Sequence, residues 1–343
     1  MQDDRLHFGG ETRKRTSLVK AMNMDQVYSH LVTFSDIARP RSRSRSVLNG
    51  FNASATYIYK TLKSQTNYDV EYQAFEVDLF SDAKPPTLNI NGKEYVASKD
   101  FGTVQKSGSG SIRNGTVVFL KNGCTRSDFK SVSKNDILLL SREGPCDYKT
   151  MLEVAAQSGP AAILLYTTLP VTGPVHAACK EPIDTPIIGL SHYAALDLLE
   201  MIASGHSKTV IRASLSTHTQ LIKTTTVNVI ATTPEGDDAS VILAGSHLDS
   251  VPEGPGINDD ASGAAATLEV ALEFYRSGLS KKTIQKVRFG FWSGEELGLL
   301  GSEHYVEHLY ARNQTDLKKI KLNLNNDMIA SPNFIRYASF QKA

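Results

Sequence analysis

From residue 222 onward the chain alternates apolar runs of strand length with amphipathic helical patterns, which restricts this part to a β-sheet covered by helices. TTTVNVIATT (224–233), SVILAGS (240–246), KVRFGFWS (286–293) and KIKLNLNND (319–327) read as strands. ASGAAATLEVALEFYRS (261–277) and EELGLLGSEHYVEHLYARN (295–313) read as helices between them, the second with a glycine-containing start. Strands separated by helices predict a largely parallel or mixed sheet.

The earlier part has a different texture. Helical spacing occurs in MDQVYSHLVTFSDI (24–37) and NASATYIYKTLKSQ (52–65), and YDVEYQAFEV (68–77) alternates as a half-buried strand does. Residues 83–115 shift to Pro, Gly, Ser and Asn, the composition of turns and a domain boundary. Four short β-like runs follow at 116–120, 137–141, 161–167 and 186–191, with helical patterns at 148–159 and 193–205. This stretch reads as a compact unit ending near the polar STHTQ (216–220). The Arg/Ser run from Arg39 to Ser46 is short, internal and followed at once by a helical pattern, so it reads as a solvated loop.

Composition excludes several classes. With 41% hydrophobic and 21% charged residues, the chain can bury a core and is not disordered. A formal charge of +1 argues against steering onto nucleic acid by overall charge. No window approaches about 18 consecutive apolar residues, so no transmembrane helix is expected. Three cysteines, Cys124, Cys146 and Cys179, are too few for a disulfide scaffold, and no C-x-x-C pair suggests structural zinc. The opening MQDDRLHFGG has no apolar core of a signal peptide, and the sequons at Asn52, Asn114 and Asn313 are no more than chance supplies. Nothing in the sequence bears on oligomeric state.

The chemistry is concentrated near the predicted strand ends, where open α/β sheets place ligands. The clusters are Gly245-Ser-His247-Leu-Asp249-Ser250, Gly254-Pro-Gly256-Ile-Asn-Asp259-Asp260, Glu295-Glu296 and Asn325-Asn-Asp327-Met328. Each alone reads blandly, as a turn, a helix cap or a solvated first helical turn. Together they supply one imidazole and several carboxylates, the ligand set of zinc, and carboxylates can bridge two metals. His247 and Asp249 alternate on an extended segment and point the same way, so Asp249 is placed to orient His247 through its second ring nitrogen. Glu295 and Glu296 diverge, leaving one for metal and the other for a proton.

These four motifs, with Phe-Trp-Ser-Gly-Glu295-Glu296-Leu-Gly-Leu-Leu-Gly-Ser302 and Asn-Asn-Asp327-Met-Ile in matching order and spacing, resemble the M28 family of co-catalytic zinc peptidases. The likeness is strongest to its secreted or vacuolar aminopeptidases of the fungal leucine aminopeptidase and aminopeptidase Y type. The resemblance implies an α/β zinc exopeptidase fold, a mixed central sheet sandwiched by helices, acting on peptide substrates outside the cytosol. His247 and Asp327 would bind the first zinc, Asp259 would bridge, and Glu296 would bind the second. Glu295 would be the general base, Asp249 the partner of His247, and the Asp259–Asp260 peptide would be cis. Residues 88–218 are similar to an inserted α+β protease-associated domain, which implies a Cys124–Cys146 disulfide. The expected organisation is a flexible 1–23, a catalytic domain in two parts (24–87 and 219–343) and that insertion between them.

The family needs a further histidine downstream of Asp327 for the second zinc. MIASPNFIRYASFQKA (328–343) contains none, so the chain reads as C-terminally truncated, with one zinc on His247, Asp259 and Asp327 as the expected retained function. His304-Tyr-Val-Glu307-His308 matches the inverted zincin pattern, but no Asp or Glu follows Asp327 to complete it, and a surface helix is expected. His176, His192, His206 and His218 have no partnered spacing. Alternative readings are a carboxypeptidase or dipeptidase of the same superfamily and a non-catalytic binding protein.

Overall fold

The computed structural model describes residues 18–120, 123–204, 210–312 and 314–334. The chain divides into two compact units, Met1–Val77 with Thr224–Ala343, and Asp78–Lys223. The residues before Leu18, His206, the sequon at Asn313 and the terminal YASFQKA lie outside the described residues.

The first unit opens with helices α1 (Leu18–Ala21), α2 (Met24–Ala38) and α3 (Phe51–Gln65) and strand β1 (Asp69–Asp82). Asn23 starts α2, its side-chain oxygen accepting the N–H groups of Asp25 and Gln26. Val27, His30, Phe34 and Ala38 form the buried stripe of α2, at helical spacing.

The second unit contains β2 (Thr87–Ile90), β3 (Lys93–Tyr95), β4 (Phe101–Thr103), β5 (Gly110–Leu120), β6 (Asp136–Ser141), α4 (Tyr148–Gln157), β7 (Ala162–Tyr166), β8 (Ile187–Leu190), α5 (His192–Ser204) and β9 (Arg212–Thr217). Its sheet has the order β3-β2-β9-β5-β6-β7-β8-β4, with β5 to β8 parallel. Buried parallel strands are continuous apolar runs, as ILLL and AILLY are here. Cys124 and Cys146 form a disulfide, while Cys179 is a buried free thiol.

Residues 83–115, read from composition as turns and a boundary, instead carry β2, β3, β4 and the start of β5. Leu88, Ile90, Tyr95 and Phe101 are buried there, hidden among polar neighbours. Asn91 and Gly92, both at positive φ (49° and 86°), join β2 to β3 as the Asn-Gly hairpin turn.

The chain returns to the first unit with β10 (Thr219–Thr232), β11 (Asp237–His247), α6 (Ala261–Arg276), β12 (Gln285–Trp292), α7 (Leu300–Arg312), α8 (Gln314–Lys319) and β13 (Ile320–Asn325). The sheet order is β1-β10-β12-β11-β13, with β11 parallel to both β12 and β13 and β10 antiparallel to β12. Alternate residues bury opposite faces. Val229, Ala231, Phe289 and Phe291 pack with α2, α3 and α6, whereas Ile230, Leu243 and Trp292 pack with Tyr305 and Leu309 of α7. The predicted mixed sheet between helical layers is present.

The helix expected from Glu295 begins five residues later, at Leu300. Gly294, Gly298 and Leu299 have φ of 72°, 108° and 64°, values a helix does not admit, so Glu295 and Glu296 lie on a turn.

Candidate metal centre

Parallel pairing brings the chemistry together. His247 ends β11 in register with Trp292 of β12, and Gly245 is in register with Asn325 of β13. The residues just past these strands, Asp249, Glu295 and Asp327, therefore emerge at the same carboxyl edge. Asp259 arrives from the β11–α6 connection, where the Asp259–Asp260 peptide is cis.

His247 is the hub. Its Nε2 lies 3.0 Å from Asp259 Oδ1, and 3.8 Å from both Glu295 Oε2 and Asp327 Oδ1. Ligand atoms of His247, Asp259 and Asp327 all lie within 4.8 Å of one another, the only such group among the described residues. Glu296 stands outside that trio, and its charge couples to Asp259 and His247. The imidazole is almost wholly buried, whereas Asp259 and Asp327 are each roughly 40% exposed, so the group opens to solvent on the carboxylate side.

Asp249 faces the second ring nitrogen of His247 at ion-pair rather than hydrogen-bond distance. Its Oδ1 is 3.6 Å from the buried Nδ1, which has no hydrogen-bond partner. The buried carboxylate instead accepts the backbone N–H groups of Glu295 (3.1 Å) and Glu296 (3.3 Å), fixing the turn that carries both glutamates. Asp260 has a similar organising position. It caps α6 through Gly263 N–H (2.8 Å) and also accepts from Met328 N–H (3.2 Å), tying the helix start to the segment after Asp327.

The charges are strongly coupled. Burial disfavours protonated His247, but the carboxylates of Asp249, Asp259 and Asp260 outweigh it and push its pKa up to about 11. Asp259 is held below the ordinary carboxylate range, chiefly by its hydrogen bond to His247. Burial raises Asp260 to about 8, and burial with repulsion from Asp259 raises Glu296 to about 7. Glu295 and Asp327 also shift upward, mainly through burial. Such a cluster calls for a cation, and one imidazole with converging carboxylates is a donor set that fits zinc.

The Arg39–Ser46 run is only half solvated. Arg39, Arg41 and Arg43 are exposed, but Ser44, Arg45 and Ser46 are buried, with Arg45 at 0% exposure. Its guanidinium gives Nη1–H to Leu248 O (2.5 Å), Nε–H to Pro255 O (2.7 Å) and Nη2–H to Gly256 O (2.7 Å), which satisfies a charge that burial otherwise forbids. Nothing local distinguishes Arg45 from its exposed neighbours, because its acceptors lie more than 200 positions along the chain.

His304 and His308 lie on α7 and belong to no metal-binding group. His304 stacks on Phe75 instead, with ring centroids 4.6 Å apart. In the second unit His176 is exposed, and His192 and His218 are partly buried.

A mixed sheet between helical layers, with an imidazole and carboxylates converging past its parallel strands, defines an α/β protein with a metal-type centre. Residues 228–342 match Peptidase family M28. The chain is 37% identical over 284 residues to the probable leucine aminopeptidase 2 of Aspergillus fumigatus, covering 82% of this chain and 53% of that protein. It is 34% identical over 323 residues to the probable lipoprotein aminopeptidase LpqL of Mycobacterium tuberculosis, covering 92% of this chain and 61% of that protein. The fold matches BSAP, a zinc aminopeptidase from Bacillus subtilis, with a TM-score of 0.69 at 23% identity, covering 90% of this chain and 69% of that one. The segment that bears the centre is thus similar to peptidase family M28. The chain spans 53% and 61% of the length of these two curated relatives.

Proposed function

We propose that this protein is a zinc-dependent aminopeptidase, hydrolysing the N-terminal peptide bond of peptides. The observation that carries the reading is the placement of Glu295 Oε2 3.8 Å from His247 Nε2, at the edge of the His247, Asp259 and Asp327 trio. In this reading His247 and Asp327 would hold one zinc, Glu296 would hold a second, and Asp259 would serve both. Zinc held there supplies Lewis-acid polarisation of a carbonyl and a nucleophile available at neutral pH. Glu295 accepts a proton from the attacking water and delivers it to the leaving amine. Its raised pKa suits that exchange, because a carboxyl nearer to neutrality both takes and returns a proton. Asp249 holds the backbone of both glutamates in place.

The Cys124–Cys146 disulfide favours an oxidising compartment, extracellular or vacuolar. No helix among the described residues is long and apolar enough to cross a membrane. We read Asp78–Lys223 as a protease-associated type of insertion, on its cysteine-bearing sequence and its separate compactness.

The test is hydrolysis of a leucine amide reporter by the zinc-loaded chain and its Glu295→Gln variant. The expected result is a loss of about 10²–10⁴-fold in kcat with zinc retained. Equal turnover by the two proteins, or none by either, overturns the assignment.

A further inference from the structure

We propose that Arg45 is a positioning residue for the metal centre, holding the His247–Asp249 segment and the Gly256–Asp260 segment in register for metal binding. This rests on the metal-centre reading above.

The three carbonyls that Arg45 engages belong to both ends of the loop between β11 and α6. Leu248 lies between His247 and Asp249, and Pro255 and Gly256 immediately precede the segment bearing Asp259. One rigid planar fork thus spans the loop and sets the distance between the residues that must converge on one ion. The surrounding contacts reinforce the clamp. Arg45 N–H donates to Ser250 Oγ (3.0 Å), and the Ser44 hydroxyl donates to Val251 O (3.2 Å). On its other side the guanidinium lies over the Phe34 ring, 5.2 Å from the centroid, which anchors the clamp to α2.

Filling space alone does not account for an arginine here. An apolar side chain of similar volume avoids the desolvation of a buried cation. Burial lowers the Arg45 pKa to about 10, so it remains charged at neutral pH, and Asp249, Asp260, Asp259 and Glu296 act in the opposite sense, favouring the charge. These are the acids of the centre. Arg45 therefore supplies a fixed positive charge among the acids of the centre, while leaving their oxygens free because its own hydrogen bonds go to carbonyls.

The experiment compares the full chain with Arg45→Met, Arg45→Lys and a core control, Leu62→Ala, in the same unit. Zinc affinity is read by chelator competition, and ligand geometry by the visible spectrum of the cobalt(II)-substituted protein. Arg45→Met is expected to weaken zinc by about 10–100-fold and to change the cobalt spectrum. Arg45→Lys keeps the charge without the fork and is expected to recover part of the affinity. Leu62→Ala is expected to lower stability with zinc affinity and spectrum unchanged. Arg45 variants that bind zinc and cobalt like the parent overturn the proposal, as does a Leu62→Ala loss equal to that of Arg45→Met. Should Arg45→Met not fold, Arg45→Lys decides alone, and parent-like affinity and spectrum overturn the proposal. If the parent itself takes up neither metal, the metal-centre reading fails first; if it binds and only the Arg45 variants are silent, the failure is confined to Arg45.

Discussion

Asp249 Oδ1 accepts the backbone N–H of Glu295 at 3.1 Å, linking a residue just past β11 to the turn just past β12. With Glu296 N–H on the other oxygen, one buried carboxylate holds both glutamates in a turn that the sequence reads as helix. Asp249→Ala leaves two amides without their acceptor and frees that turn. It should weaken zinc binding by about 10–100-fold, with Asp249→Asn falling between it and the parent. Chelator competition checks this, and equal affinities for all three proteins would show that the turn holds without Asp249.

Gly256 has φ of 55°, and a Cβ built there stands 2.1 Å from Asp259 O. Gly278 has φ of 71°, yet a Cβ there meets nothing within 4 Å. Gly278→Ala should therefore lose only the left-handed backbone preference, about 1 kcal/mol. Gly256→Ala adds a clash beside a metal-centre residue and should lose about 3 kcal/mol or more, together with zinc affinity. Urea unfolding of the two variants separates the effects; similar midpoints would contradict the packing around Gly256.

Much of this arrangement is legible in the sequence. The apolar runs that become β6, β7, β11 and β12 are long enough to announce buried strands, and the clusters of the centre stand past β11, β12 and β13. Short amphipathic strands such as β2 and β3 are masked because their buried residues alternate with Asn, Glu and Lys around an Asn-Gly turn. The start of α7 is misread because Leu299 and Gly298 interrupt a run whose composition suits a helix. Arg45 is invisible for another reason: burial of a charge depends on distant carbonyls, which no local pattern encodes.

His30 provides a pH signature away from the centre. It is buried between Tyr57 (Nδ1 to OH, 2.5 Å) and Glu269 (Nε2 to Oε2, 3.4 Å), with Arg276 beyond at 3.7 Å from Glu269. Burial, then the charge of Arg276, lowers its pKa from 6.5 to about 4. The unfolded chain thus binds more protons than the folded one in that interval. The stability due to neutral His30 is fully present above pH 6.5 and is lost as pH falls toward 4, about 3 kcal/mol in all. Glu269, raised by burial, acts with the opposite sign. The urea midpoint of His30→Gln should fall less steeply across this window than that of the parent. Parallel curves would mean that His30 does not titrate in the folded state.

The central claim is that His247, Asp259 and Asp327 form one metal-binding group. Its most direct test is a zinc titration of the parent chain and Asp327→Ala, with folding checked by circular dichroism. The parent should bind zinc stoichiometrically, and the variant, folded but short of one carboxylate, should bind it at least about tenfold more weakly. Unchanged zinc affinity in folded Asp327→Ala would contradict the account.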